Sequence, residues 1–232
     1  MSSTKTPERC VRALLAGIAL AAGAIPSAQG GTGTISGHVQ VTRVHGTPLP
    51  SNVYAPRAVQ PHDTAGVPEL KNVVVYLKNV KYAGALTPMH AEIRQEHETF
   101  QPRVLAITRG STVDFPNADP FFHDVFSLSS AASFDLGHYA PGKSRAQTFP
   151  RAGLVKLYCH IHSQMSASIL VLDHPYFTIP NDDGTFTISN VPAGHYTIVG
   201  WHERIGERAT AIDVRAGGST SVNIALPVEE AP

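Results

Sequence analysis

Apolar positions along this chain come in two textures. Between Ala13 and Ile25 (ALLAGIALAAGAI) they are continuous, behind Lys5, Arg9 and Arg12 and ahead of the small residues Ser27, Ala28 and Gly30. That run falls short of the about 20 residues a membrane-spanning helix needs. Its basic flank and small-residue end predict a secretory leader over residues 1–28, cleaved between Ala24 and Gly30, with Ala28-Gln29-Gly30 the best match. Beyond it, apolar and polar residues alternate in short runs broken by Gly, Pro, Asn and Asp, the pattern of an all-β sandwich or barrel. Strands are predicted over Thr34–Arg43, Val73–Leu77, Ala91–Arg94, Val104–Thr108, Thr112–Phe115, Asp124–Leu128, Ser144–Phe149, Gly153–Tyr158 and Ala167–Leu172. Gly46 to Pro68 carries five prolines and is read as a long loop. No helix is expected beyond a short turn near Ser163–Met165.

From Phe177 the turns grow more regular. Asp183-Gly184, Val191-Pro192-Ala193-Gly194 and Gly217-Gly218 punctuate the runs up to Leu226, predicting two further hairpins. DGTFTISNVPAGHYTIV resembles the second half of a carboxypeptidase regulatory-like (transthyretin-like) β-sandwich. GTISGHVQV, followed by VVVYL, resembles that fold's first strands. The resemblance covers roughly a third of the chain and implies a sandwich whose two parts are residues 31–88 and 176–228. The segment 89–175 would then be inserted between them; two tandem domains are the other arrangement the pattern allows.

Composition narrows the function classes. Only 16% of residues are charged, while Gly and Pro are abundant, as suits a loop-rich β protein. Without the leader, the chain loses Lys5, Arg9, Arg12 and Glu8, so 18 basic and 18 acidic residues become 15 and 17, a net charge of −2. No clustered basic face is present, and a nucleic-acid partner is not expected. No later segment is long and apolar enough to span a membrane, so the mature chain is expected in the periplasm or outside the cell. Of two cysteines, Cys10 and Cys159, the first leaves with the leader. A lone thiol in an oxidising compartment is buried and inert, paired between chains, or held as a metal thiolate.

The neighbours of Cys159 favour the last. Tyr158-Cys159-His160-Ile161-His162-Ser163-Gln164-Met165 packs a thiolate, two imidazoles and a thioether between two predicted strands. Soft sulfur donors beside imidazole select copper, and two His, one Cys and a long weak Met bond form the ligand list of blue-copper electron-transfer sites. A first imidazole is available at His123, after the turn Pro116-Asn117-Ala118-Asp119-Pro120 and before a predicted strand.

Residues 90–174 resemble the cupredoxins, most closely the amicyanin and plastocyanin branch. Cys159, His162 and Met165 match the Cys-x-x-His-x-x-Met loop, and His123 matches the upstream ligand in an Asn-x-Asp…His-x-Val pattern. The resemblance implies a Greek-key sandwich holding one type 1 copper through His123, Cys159, His162 and an axial Met165; core packing is the rival role for Met165. His162 would be the electron port, and Phe121, Phe122 and Ile161 would either line a docking patch or pack the core. His160 falls outside the matching spacing and is read as structural or as a surface contact. Asp124 stands where the family commonly has Asn. Its negative charge is expected to favour Cu(II) and lower the reduction potential.

One cysteine excludes a dinuclear copper loop, and the lack of a further His-x-His pair leaves no ligands for a trinuclear cluster. The chain is therefore expected to carry electrons between redox partners, such as a dehydrogenase or a cytochrome, and not to act as an enzyme. The alternatives are a copper chaperone or storage protein, and a non-redox ligand-binding β-sandwich. His195, His202 and Glu203 offer donor types for a second metal, but without tight spacing they read as satisfied structural residues.

Overall fold

A computed structural model describes residues 30–45 and 69–230; the predicted leader and the predicted loop Gly46–Pro68 lie outside them. Among the described residues all regular structure is β except one 3-10 turn, Glu69–Asn72, as the alternating pattern predicts. The described elements open with β1 (Thr32–His45) and β2 (Val73–Lys78). Next come β3 (His90–Glu92), β4 (Arg94–Glu96), β5 (Thr99–Gln101), β6 (Val104–Thr108), β7 (Thr112–Pro116) and β8 (Phe126–Ser129). They are followed by β9 (Ala132–Asp135), β10 (Ser144–Thr148), β11 (Gly153–Tyr158) and β12 (Ser166–Leu172). The last five are β13 (Phe177–Thr178), β14 (Thr185–Pro192), β15 (Gly194–His202), β16 (Gly206–Val214) and β17 (Ser219–Glu230).

Strands from both ends of the chain share sheets. The first sheet has the order β14-β1-β17 and the second β13-β2-β15-β16. β1 runs antiparallel to β14 and parallel to β17, from Thr34 opposite Ser219 to His45 opposite Glu230. At Gly37 an added Cβ would sit 1.8 Å from the Val222 carbonyl oxygen, so only glycine permits that approach of backbones. Strands between His90 and Leu172 form a third sheet, β6-β12-β11-β8-β9, a fourth, β10-β7-β3, and the small β4–β5 ribbon.

Three apolar clusters bind these sheets as four layers. Ile35, Val39, Val75, Leu77, Ile198 and Leu226 fill the space between the first and second. Val113, Phe115, Val155, Leu157, Ile169 and Val171 do so between the third and fourth. Val74, Tyr76, Val199 and Trp201 meet Val104, Ala106 and Leu170 between the two inner sheets. Arg103 and Glu203 form an ion pair of 2.5 Å, and Lys156 lies 5.7 Å over the Trp201 ring, reinforcing this junction. At about 1.5–3 kcal/mol for each large apolar side chain fully buried, the apolar contacts outweigh the ion pair there.

Two expectations need correcting. Val191–Gly194 and Gly217-Gly218 do not close hairpins: β14 and β17 belong to the first sheet, and β15 and β16 to the second. Phe186 and Ile188 of β14 and Ile198 of β15 enter the same core from opposite sides, so the chain has to cross between sheets there. The hairpin is β15–β16, closed where the Ile205 N–H donates to the His202 carbonyl at 3.2 Å. The predicted strand Ala91–Arg94 is divided at Ile93, which is buried in the core between β3 and β4.

Candidate metal centre

Two loops carry the predicted donors. One joins β7 to β8 and holds His123; the other joins β11 to β12 and holds Cys159, His162 and Met165. Strand register brings them together. Phe126, three residues after His123, pairs with Tyr158, which immediately precedes Cys159, while Tyr158 also pairs with Ser166 on β12. Beyond β7 the Asn117 amide folds the loop by donating to the carbonyls of Phe121 (2.8 Å) and Tyr139 (3.2 Å). The His123 backbone is held by reciprocal bonds with Tyr139, 3.3 Å from its N–H and 2.8 Å to its carbonyl. The expected turn after His162 is present, with the Met165 N–H donating to the His162 carbonyl at 3.0 Å.

Three donor atoms converge. Cys159 Sγ lies 3.8 Å from His123 Nδ1 and 3.9 Å from His162 Nδ1, and the two Nδ1 atoms are 3.0 Å apart. Donors about 2.0–2.3 Å from one ion stand at such separations from each other, so the set fits a single shared metal. A thiolate with two imidazoles suits a soft or borderline ion and not an oxygen-seeking one. His123 is fully buried, Cys159 nearly so, and His162 half-buried. Met165 is buried in the same core cluster as Cys159 and Leu157.

Burial pushes the Cys159 thiol up. Backbone N–H groups of Asp124, His162 and Ile161 pull the other way, while the Asp124 carboxylate adds to the effect of burial. A metal bound here would displace a proton from sulfur. Asp124 is also fully buried, which opposes its ionisation, but the His160 ring and N–H and the Cys159 thiol outweigh burial and hold its carboxyl below the usual range. Its Oδ1 accepts the His160 N–H at 2.7 Å and its Oδ2 faces His160 Nδ1 at 2.5 Å. Asp124 thus ties the two loops together. His160 is exposed, stacks on Phe126 with centroids 3.8 Å apart, and is not one of the three converging donors. Asp135 lies near this pair, but the Asp124 and His160 groups already satisfy each other.

Exposed apolar side chains flank His162 on one side. The Phe121 ring is 5.3 Å from the His162 ring, and Phe121, Phe122 and Ile161 are 36, 55 and 46% exposed. The core-packing alternative for these three residues therefore fails.

One residue next to the donors carried no role in the sequence reading. Asp119 Oδ2 lies 2.8 Å from His123 Nε2, the ring nitrogen turned away from Cys159. The Asn-x-Asp pattern marked this residue without revealing what it touches. The loosely spaced trio His195, His202 and Glu203 is not brought together. His195 pairs with Asp213, His202 Nε2 lies 3.0 Å from Glu69, and Glu203 bonds Arg103. No helix among the described residues is long and apolar enough to cross a membrane.

No family model matches the chain, and no curated protein does. Solved structures similar to it include a copper-containing nitrite reductase from Thermus scotoductus, at 27% identity and TM-score 0.36, matching 41% of this chain and 25% of that one. The chain thus spans about a quarter of that reductase. A purple cupredoxin from Nitrosopumilus maritimus is 22% identical at TM-score 0.32, over 35% of this chain and 99% of that one. A reduced amicyanin variant is 19% identical at TM-score 0.34, over 36% of this chain and 82% of its own.

Proposed function

We propose that this chain is an exported cupredoxin-type electron carrier with one type 1 copper bound by His123, Cys159 and His162 and weakly by Met165. The carrier sandwich would span residues 89–175, set within a transthyretin-like sandwich made of residues 31–88 and 176–228. The observation that carries this reading is the convergence of one sulfur and two imidazole nitrogens from separate loops, at 3.0 to 3.9 Å from each other. Copper bound there would supply one-electron exchange between Cu(I) and Cu(II).

The rest is the work of the protein. Tyr139, Asn117 and Asp124 hold the loops by hydrogen bonds, so the donors need little rearrangement when charge changes. The buried surroundings of His123 and Cys159 keep water from the sulfur. His162 is the donor nearest the surface, and its apolar rim of Phe121, Phe122 and Ile161 suits a redox partner such as a dehydrogenase or a cytochrome.

Visible absorption and voltammetry of the copper-loaded protein test the reading. An intense thiolate-to-copper band with a reversible potential is expected, and Cys159→Ser should abolish both. Absence of the band from the unmutated protein rejects the proposal; a band without a reversible potential moves the function to copper storage or delivery.

A further inference from the structure

Asp119 and the β4–β5 turn join the metal-binding loops at a point the ligands do not explain. The turn has His97 and Glu98 as its two central residues, between the paired Glu96 and Thr99. Both have φ of 54°, the left-handed conformation that two-residue hairpins demand and that Asn-Gly normally supplies. For residues with a Cβ this conformation is strained, so something must hold the turn in place. The holder is Asp119: its Oδ1 accepts the His97 N–H at 2.7 Å and its Oδ2 the Glu98 N–H at 3.0 Å. Successive N–H groups of such a turn form a concave seat for an anion.

Oδ2 also faces His123 Nε2 at 2.8 Å. Its two oxygens thus meet two backbone N–H groups and a ring nitrogen, a surrounding of donors that suits an ionised carboxylate. On its other side the same turn reaches the second loop, where Gln164 Nε2 donates to Glu98 Oε2 at 2.6 Å, one residue before Met165.

We infer that Asp119, seated in the His97–Glu98 turn, is the positioning residue of the site. It fixes the His123 proton on Nε2, leaves Nδ1 as the free donor facing Cys159 before any metal arrives, and places a negative charge behind that ligand. The charge stabilises the more oxidised metal through the ring and so lowers the reduction potential. The potential part rests on the copper reading; the tautomer part does not. An asparagine of the same shape has one acceptor oxygen for three donors, and no charge.

The test compares unmutated protein, Asp119→Asn and Asp119→Ala. In metal-free protein, nitrogen-15 NMR should show a single His123 tautomer with an exchange-protected Nε2 proton, and Asp119→Ala should lose that protection and populate both tautomers. An unchanged tautomer in Asp119→Ala overturns the positioning role, whatever metal the site takes. Zinc affinity, read by competition, should fall about 10–100-fold in Asp119→Ala, the usual loss when a ligand's hydrogen-bond partner is removed. In the copper form Asp119→Asn should keep the thiolate band and raise the potential. A potential equal to that of the unmutated protein overturns the charge role, since mere loosening of the turn would leave it unmoved. A missing thiolate band in the unmutated protein rejects the copper reading instead, and the metal-free and zinc results still decide the positioning role.

Discussion

Two buried histidines on opposite sides of the inner junction meet carboxylates and end with opposite uses. At His123, one ring nitrogen faces Asp119 and the other faces Cys159 and His162. At His202, the last residue of β15, both nitrogens are taken: Nδ1 accepts the Arg204 N–H at 3.3 Å, leaving the Nε2 proton to face Glu69 at 3.0 Å. Burial and a carboxylate partner are common to both and so do not mark a metal ligand. What separates them is a second nitrogen aimed at other metal-ligating side chain types, Cys159 and His162, and not at a backbone N–H.

Exchanging the roles breaks the comparison most strongly. His123→Ala is expected to remove metal binding and its spectrum. His202→Ala should leave the spectrum intact but destabilise the fold by about 2–4 kcal/mol, through a cavity and a stranded Glu69. Parallel titrations with copper and with denaturant check this, and loss of the spectrum in His202→Ala would erase the distinction. A smaller effect belongs to pH. Burial raises Glu69, but His202, Arg204 and Asn72 outweigh it and hold its carboxyl below its ordinary 4.5 in the folded chain. The folded state therefore binds this proton less readily than the unfolded one. Its stabilisation is complete above about pH 4.5 and fades as pH falls through the folded value. Glu69→Gln should flatten that part of the acid limb in pH-dependent unfolding; an unaltered slope counts against the pair. The smallest effect is expected at His195, which pairs with Asp213 in full solvent, so that His195→Ala should shift stability by no more than about 0.5 kcal/mol in the same unfolding assay.

How far the sequence could be read followed from the range of the interactions involved. β2 and β12 belong to the inner sheets, with cores on both faces, and their unbroken runs VVVYL and ASILVL already stand out in the sequence. β14 alternates from Thr185 to Ser189 because one of its faces meets solvent, and the alternation breaks at Asn190, where φ is positive. β9 and the β4–β5 ribbon were missed because three- and four-residue strands of mixed polarity carry no period to detect. Which sheet each strand joins escaped the pattern of turns, since a turn sequence does not distinguish a hairpin from a crossing between layers. At the site, Cys159, His162 and Met165 lie within seven residues and were legible as a motif. Asp119 was not, because its partners at His97 and Glu98 are some 20 residues away and are engaged through backbone N–H groups that any residue could supply.

Trp201 and its neighbours close one broad flank of the sandwich that carries the three donors. A visitor to His162 is left an end-on approach over the phenylalanine rim, while the strands from the chain's two ends present a separate surface on the same packed body. In the proposed carrier, affinity for a companion and passage of charge would therefore reside on different parts of the molecule.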